Sequence, residues 1–307
     1  MHLVSAMLLA VVIAAAREIP VVDMTGPFFA AIDPQSGQVA QRVDSFKEKL
    51  LYPNHELFNE PYFRLDDPHI AWYLQRQEAS LANLRAFHAS LTESLPRLED
   101  SFERAFPAFD PQTVQLFIMP GFGVFDGMTS VVGGKLALLI GIDNLAQESS
   151  AVPVLLTHEL FHIYHHEANP AFFVTATEND LYKYGLYREL WAEGLATHVS
   201  QALNPGATEA QALFSQSLAN LQAADRRRLA CLIDKNLSST DLKTSDLFFD
   251  GGIHPDGLPS RGGYYIGYLV AKQLGSRYSL AQLAQLSGDE LQRDVSDGVH
   301  ALCSLAV

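Results

Sequence analysis

Two histidines and a glutamate carried inside an apolar helix constrain this chain more than any other feature in it. His158-Glu159-Leu160-Phe161-His162 falls in a segment, Ala151 to about Glu167, that reads as a helix with Ser149 or Ser150 as its cap and Pro153 in its first turn. Val154, Leu155, Leu160 and Ile163 give this helix a side to bury, where ionisable groups are costly unless something partners them. Residues four apart lie one turn apart on the same face, so both imidazoles can reach one metal ion. Glu159 then stands beside the first ligand, placed to take a proton from a water on that ion.

A catalytic zinc needs a third protein ligand and an open fourth position. His165 and His166 are the nearest candidates in sequence, but the longer H-E-x-x-H-x-x-G-x-x-H pattern would need Gly at 165 and His at 168, where this chain has His165 and Ala168. These two histidines are therefore expected on the helix surface or behind the ligands. Glu189 and Glu193 lie one turn apart on the next helix, which spans Leu186 to Leu203, and are better placed to supply the ligand.

Here the residues begin to resemble a known group. H-E-x-x-H followed by a glutamate on a second helix is similar to the gluzincin arrangement of thermolysin-like proteases and the alanyl-aminopeptidase family. Trp191-Ala192-Glu193-Gly194-Leu195-Ala196-Thr197 resembles the aminopeptidase segment W-L-N-E-G-F-A-[ST] with one residue fewer after Trp. The resemblance implies a zincin-like core with one zinc ion per chain, held by His158, His162 and Glu193. Glu189 becomes a carboxylate behind them that orients a ligating histidine. The stretch from Ala168 to Arg188 is then an inserted loop, and its aromatics (Phe172, Phe173, Tyr182, Tyr184, Tyr187) are read as core rather than cleft lining.

Gly262-Gly263-Tyr264-Tyr265-Ile266-Gly267-Tyr268 resembles the Y-x-x-G segment of the same aminopeptidases, whose tyrosine donates a hydrogen bond to the developing oxyanion. Tyr264 matches by its offset to Gly267, and Tyr265, on another face of the helix, remains an alternative. His254, Asp256 and Arg261 precede this helix in a polar loop from which they could meet substrate. The three-part layout also resembles bacterial families described as zinc-dependent proteases, in which G-Y-Y-x-G follows the metal motif. The likeness runs from about Leu136 to Leu274. The G-x-M-E-N segment that holds a substrate's free amine in aminopeptidases is absent, which weakens an exopeptidase reading. Leu136 to Ile142 stands in its place as an expected edge strand to which substrate could add.

The rest of the 307 residues frames this motif. Leu3 to Ala16 reads as the apolar part of a signal peptide ending in Ala14-Ala15-Ala16, so the protein is expected to be exported (periplasmic or secreted), with an uncleaved membrane anchor as the alternative. A net charge of -14 argues against nucleic acid or an anionic membrane as partner, and Arg226-Arg227-Arg228 is read as a solvated helix face. Cys231 and Cys303 either form one bridge or stay as buried thiols. Asp66-Asp67-Pro68 starts a helical region running to about Phe106 with a break at Pro96, and Thr113 to Met119 is a strand. Ala207 to Leu237 reads as helical, and Asp250 to Gly263 as a loop. The expected fold is α+β and mainly α-helical, with a small sheet over the metal helix and flanking helical lobes. Its parts are a signal peptide over 1–16, a helical region over 17–110, the catalytic core over 111–205 and a C-terminal helical lobe over 206–307. The expected function is a zinc-dependent metallopeptidase acting on a peptide or protein. The rivals are a zinc hydrolase of a non-peptide amide or ester, and a non-catalytic zinc-binding envelope protein.

Overall fold

The structure is a computed structural model that describes residues 18–59, 63–145, 152–173, 178–252 and 256–305. The signal peptide, the Ser149/Ser150 cap and His254 lie outside these residues. The chain is mainly helical with one small mixed sheet. It begins with β1 (Val21–Asp23), α1 (Thr25–Ile32), α2 (Val39–Phe46), α3 (Asp67–Gln77) and α4 (Leu81–Ala105). The sheet is completed by β2 (Val114–Met119), β3 (Gly127–Val132) and β4 (Lys135–Gly141), followed by α5 (Ile142–Leu145). The second half is helical: α6 (Val152–Ala168), α7 (Leu186–Leu203), α8 (Glu209–Ala212), α9 (Gln216–Ala219), α10 (Ala223–Asp234), α11 (Leu242–Phe249), α12 (Gly262–Leu274), α13 (Leu280–Gln285) and α14 (Gly288–Ser304). Among the described residues no helix is long and apolar enough to cross a membrane.

The strand order is β1-β2-β4-β3, with β2 parallel to both neighbours and β3 antiparallel to β4. Both faces of the central strands are covered, which is why β2 and β4 read as continuous apolar runs. Leu116, Ile118, Leu138 and Ile140 point into one core with α4, α6 and the C-terminal helices. Phe117, Met119, Ala137 and Leu139 point into the other, with α1, α2 and α3. Gly133 and Gly134, both at positive φ, make the two-residue turn that folds β3 back on β4.

Two expectations change. The edge strand over the metal helix is β3, a strand not anticipated, and β4 lies inside the sheet. Pro96 does not break α4; the interruption lies at Glu78–Ser80, between α3 and α4. The Ala207 to Leu237 region is helical as read, in the three separate helices α8, α9 and α10. The Asp66 cap behaves as read, its carboxylate accepting from the His69 N–H at 3.0 Å. Cys231 and Cys303 form a disulfide joining α10 to α14.

The tightest joint is between α7 and α12. A Cβ placed on Gly194 would fall inside the backbone of Gly267, and one on Gly267 would overlap the carbonyl oxygen of Leu190. The two helices cross on glycine, with backbone against backbone. Gly194→Ala and Gly267→Ala should therefore each cost about 1–3 kcal/mol despite alanine's better helix propensity. Gly26→Ala is the control, because that exposed position in α1 has nothing within 4 Å of an added Cβ. Thermal unfolding should give midpoints several degrees lower for the first two only; three equal midpoints would mean that the crossing has slack.

Candidate metal centre

α6 and α7 lie side by side and present His158, His162 and Glu193 to one point. The Nε2 atoms of the two histidines are 3.0 Å apart, and Glu193 Oε2 lies 3.3 Å from His158 Nε2 and 3.5 Å from His162 Nε2. Both histidines are buried, and the three are the one group of His, Cys, Asp and Glu among the described residues that could hold a metal ion. Ligands about 2.0–2.1 Å from a tetrahedral ion are separated from one another by about 3.3–3.4 Å, and the three measured edges bracket that value. The donor set therefore fits a first-row divalent cation by geometry and by atom type.

The protonation states point the same way. Burial pushes the His158 imidazole down to about 4, against the pull of Glu193. Burial would raise the Glu193 carboxyl, but the facing imidazoles more than offset it and hold the group well below the ordinary carboxylate range. At neutral pH the site offers a neutral imidazole at His158 beside an ionised carboxylate, the forms that ligate a cation.

Glu159 sits on the same turn as His158, and its carboxylate lies over the first residue of β3. A Cβ at Gly127 would come within 2.7 Å of Glu159 Cγ, 2.8 Å of Cδ and 2.9 Å of Oε1. Glycine leaves the room in which this carboxylate rests. The loop leading to it is tied down by Asp143, whose carboxylate accepts from the Gly121 N–H and, at 3.0 Å, from the Gly123 N–H. Sequence reasoning gave Gly127 no role, because nothing local ties a glycine at the start of β3 to Glu159 on α6.

The glycine crossing sets Tyr264, one turn before Gly267, beside Glu193, the neighbour of Gly194. The Tyr264 ring stacks 6.3 Å from that of His158, and burial followed by the charge of Glu193 pushes its phenol well above the ordinary value. Arg261, the residue before α12, lays its guanidinium over the Tyr264 ring at 4.3 Å. Tyr265 faces elsewhere, buried in a small cluster with Leu213, Leu218 and Tyr268. Glu189 accepts from Ser245 Oγ of α11 at 2.6 Å; burial, with Glu193 adding, raises its carboxyl to about 7.

Of the two places expected for His165, the helix surface is not the one it takes. It is fully buried, its ring stacked on Phe161 and Phe172 with Phe173 edge-on, and among the described residues neither ring nitrogen has a hydrogen-bond partner. His166 is partly exposed and packs on Phe173. The segment after α6 turns back and boxes His165 with aromatics; Phe172, Phe173, Tyr182 and Tyr187 are buried as read, whereas Tyr184 is exposed.

Burial, with the nearby charges of His162 and His166, pushes His165 down to about 3 from the ordinary 6.5. The unfolded chain therefore binds a proton that the folded one refuses between those values. Stability should fall as pH drops below about 6.5, with this group contributing up to about 1.4 kcal/mol per pH unit. His165→Leu should flatten that part of the curve in urea unfolding measured from pH 7 to pH 4; an unchanged slope would mean that the ring takes its proton in the folded protein. No family model matches this chain, and no curated protein or solved structure matches it significantly, so a functional reading rests on the chemistry of the site itself.

Proposed function

We propose that this protein is an exported zinc-dependent metallopeptidase with a gluzincin-type core. The observation that carries the reading is the convergence of His158 Nε2, His162 Nε2 and Glu193 Oε2 with a carboxylate, Glu159, on the adjoining residue of the same helix. A site that only stabilises the fold has no use for that carboxylate and closes with four protein ligands, whereas three ligands leave a position open.

Zinc held by these three donors would acidify a water and polarise a scissile carbonyl. Glu159 takes the proton of the attacking water and returns it to the leaving amine. Tyr264, kept protonated by its surroundings, donates to the oxygen on which charge develops, an interaction strongest in the transition state. The edge of β3, which starts beneath Glu159, is where an extended peptide could add as a further strand. The disulfide supports export, because such bonds persist in oxidising compartments.

Purified protein and its Glu159→Gln variant should both hold one zinc per chain, and only the parent should cleave an unstructured protein such as casein, until a chelator stops it. The variant's kcat should fall about 10²–10⁴-fold. Failure of both to bind zinc in metal-replete buffer would sink the proposal; zinc in both with no peptide cleaved would move the reading to other amides and esters. Tyr264→Phe should lose about 10²–10³ in kcat with zinc retained, while Tyr265→Phe should not. Gly127→Ala should keep its zinc and its fold yet lose kcat, because the new methyl displaces the Glu159 carboxylate.

A further inference from the structure

Arg261 does not take part in the chemistry just described, yet it stands at the same site. Its backbone adopts the left-handed conformation (φ 58°, ψ 29°), which a non-glycine residue enters at a cost, and it does so as the residue that starts α12. Its guanidinium rests on the ring of Tyr264, whose other neighbours are the rings of His158 and Phe249. Among the described residues no carboxylate comes within ion-pair distance of it; burial works against its charge, but the phenol of Tyr264 and then the more distant charges of Glu193 and Asp126 more than offset this and favour the ionised form. Two other arginines of this half are paired, Arg228 with Asp225 and Arg277 with Asp294.

A half-buried guanidinium is a rigid fork of donors that matches a carboxylate with two parallel hydrogen bonds. Here the fork is fixed from one side by an aromatic ring and from behind by the start of a helix, so little freedom is lost when an anion arrives. In a protein of net charge -14, an acidic substrate group finds repulsion over the general surface and needs a local cation to enter the cleft.

We infer that Arg261 is a specificity-determining residue that binds a carboxylate of the substrate, either a peptide's C-terminus or an acidic side chain close to the scissile bond. The inference rests on the peptidase reading. It differs from an oxyanion role because the single oxygen of a tetrahedral intermediate suits the phenol of Tyr264, while the fork suits two oxygens.

The test uses one cleavable peptide in three forms: free acid without acidic side chains, its C-terminal amide, and the amide with one glutamate moved through the positions after the scissile bond. The parent should prefer one carboxylate-bearing form over the plain amide by about ten- to a hundredfold in kcat/KM, mostly through KM. Arg261→Asn removes the charge while tolerating the left-handed backbone, and Arg261→Lys keeps the charge without the fork. The preference should collapse to about one in the first and be partly kept in the second, with zinc content unchanged in both. The binding arm uses Glu159→Gln protein titrated with the preferred peptide, whose dissociation constant should rise by the same factor when Arg261→Asn is added.

Which form is preferred identifies the source of the carboxylate. Equal kcat/KM for all three forms in the parent overturns the inference while leaving the peptidase reading intact, and so does an equal loss of kcat on every form in the Arg261 variants, which would place the guanidinium on the oxyanion. Cleavage of none of them by zinc-loaded parent is the separate failure of the peptidase reading.

Discussion

The approach of α7 to α12 at Gly194 and Gly267 decides what the candidate metal centre can contain. Both residues sit one step or one turn from a group of the site, Glu193 on one helix and Tyr264 on the other. Were either glycine replaced by a residue with a side chain, the helices would have to separate by the thickness of that chain. The tyrosine would then withdraw from His158 and from the carboxylate. Neither position shows strain in its own φ; what each contributes is the absence of a Cβ. The glycines thus serve tertiary approach, at the expense of the helix propensity that alanine would bring to both helices.

A second constraint comes from the sheet. α6 packs on β4 through Leu156, Leu160 and their neighbours and lies against β3, which fixes the height of this helix above the strands. Gly127 repeats the glycine device on a smaller scale, making room for a carboxylate rather than a helix. Asp143 adds a polar anchor: its carboxylate, raised by burial and lowered by the N–H groups of Gly121 and Gly123, gathers the loop that enters β3. The site is therefore built from four pieces distant in sequence, and in three of them a glycine stands next to, or one turn from, the functional residue.

Much of this was legible in the residues. The limits of α7 and the core of α6 match the helical segments read from the sequence, and β2 and β4 follow from runs too apolar for anything but a strand covered on both sides. What escaped was non-local. β3 has half-exposed residues on both faces and follows a glycine-rich turn, so neither alternation nor a continuous run marks it. Its absence from the reading made β4 look like the edge. Pro96 lies within a helix that packs through Leu91, Leu95, Leu98 and Phe102, and that packing outweighs the loss of one backbone bond. His165 beside His166 reads as a polar pair at a helix end; only the return of Phe172 and Phe173 over it makes it a buried ring. Arg261 shows the same limit, because a loop arginine acquires significance only when the fold lays it on Tyr264.

The disulfide has a consequence for the half of the site that α12 carries. Cys231 and Cys303, 72 residues apart, close a covalent loop that contains all of α11, α12 and α13, and with them Arg261 and Tyr264. Closing a loop of that length removes chain entropy from the unfolded state worth about 4 kcal/mol in the entropic account. The loop also encloses the polar stretch between α11 and α12. A single cut there would sever the backbone without releasing a fragment, and the two pieces would part only under reductant. That covalent tether turns a backbone cut in this stretch into damage the folded protein can hold together.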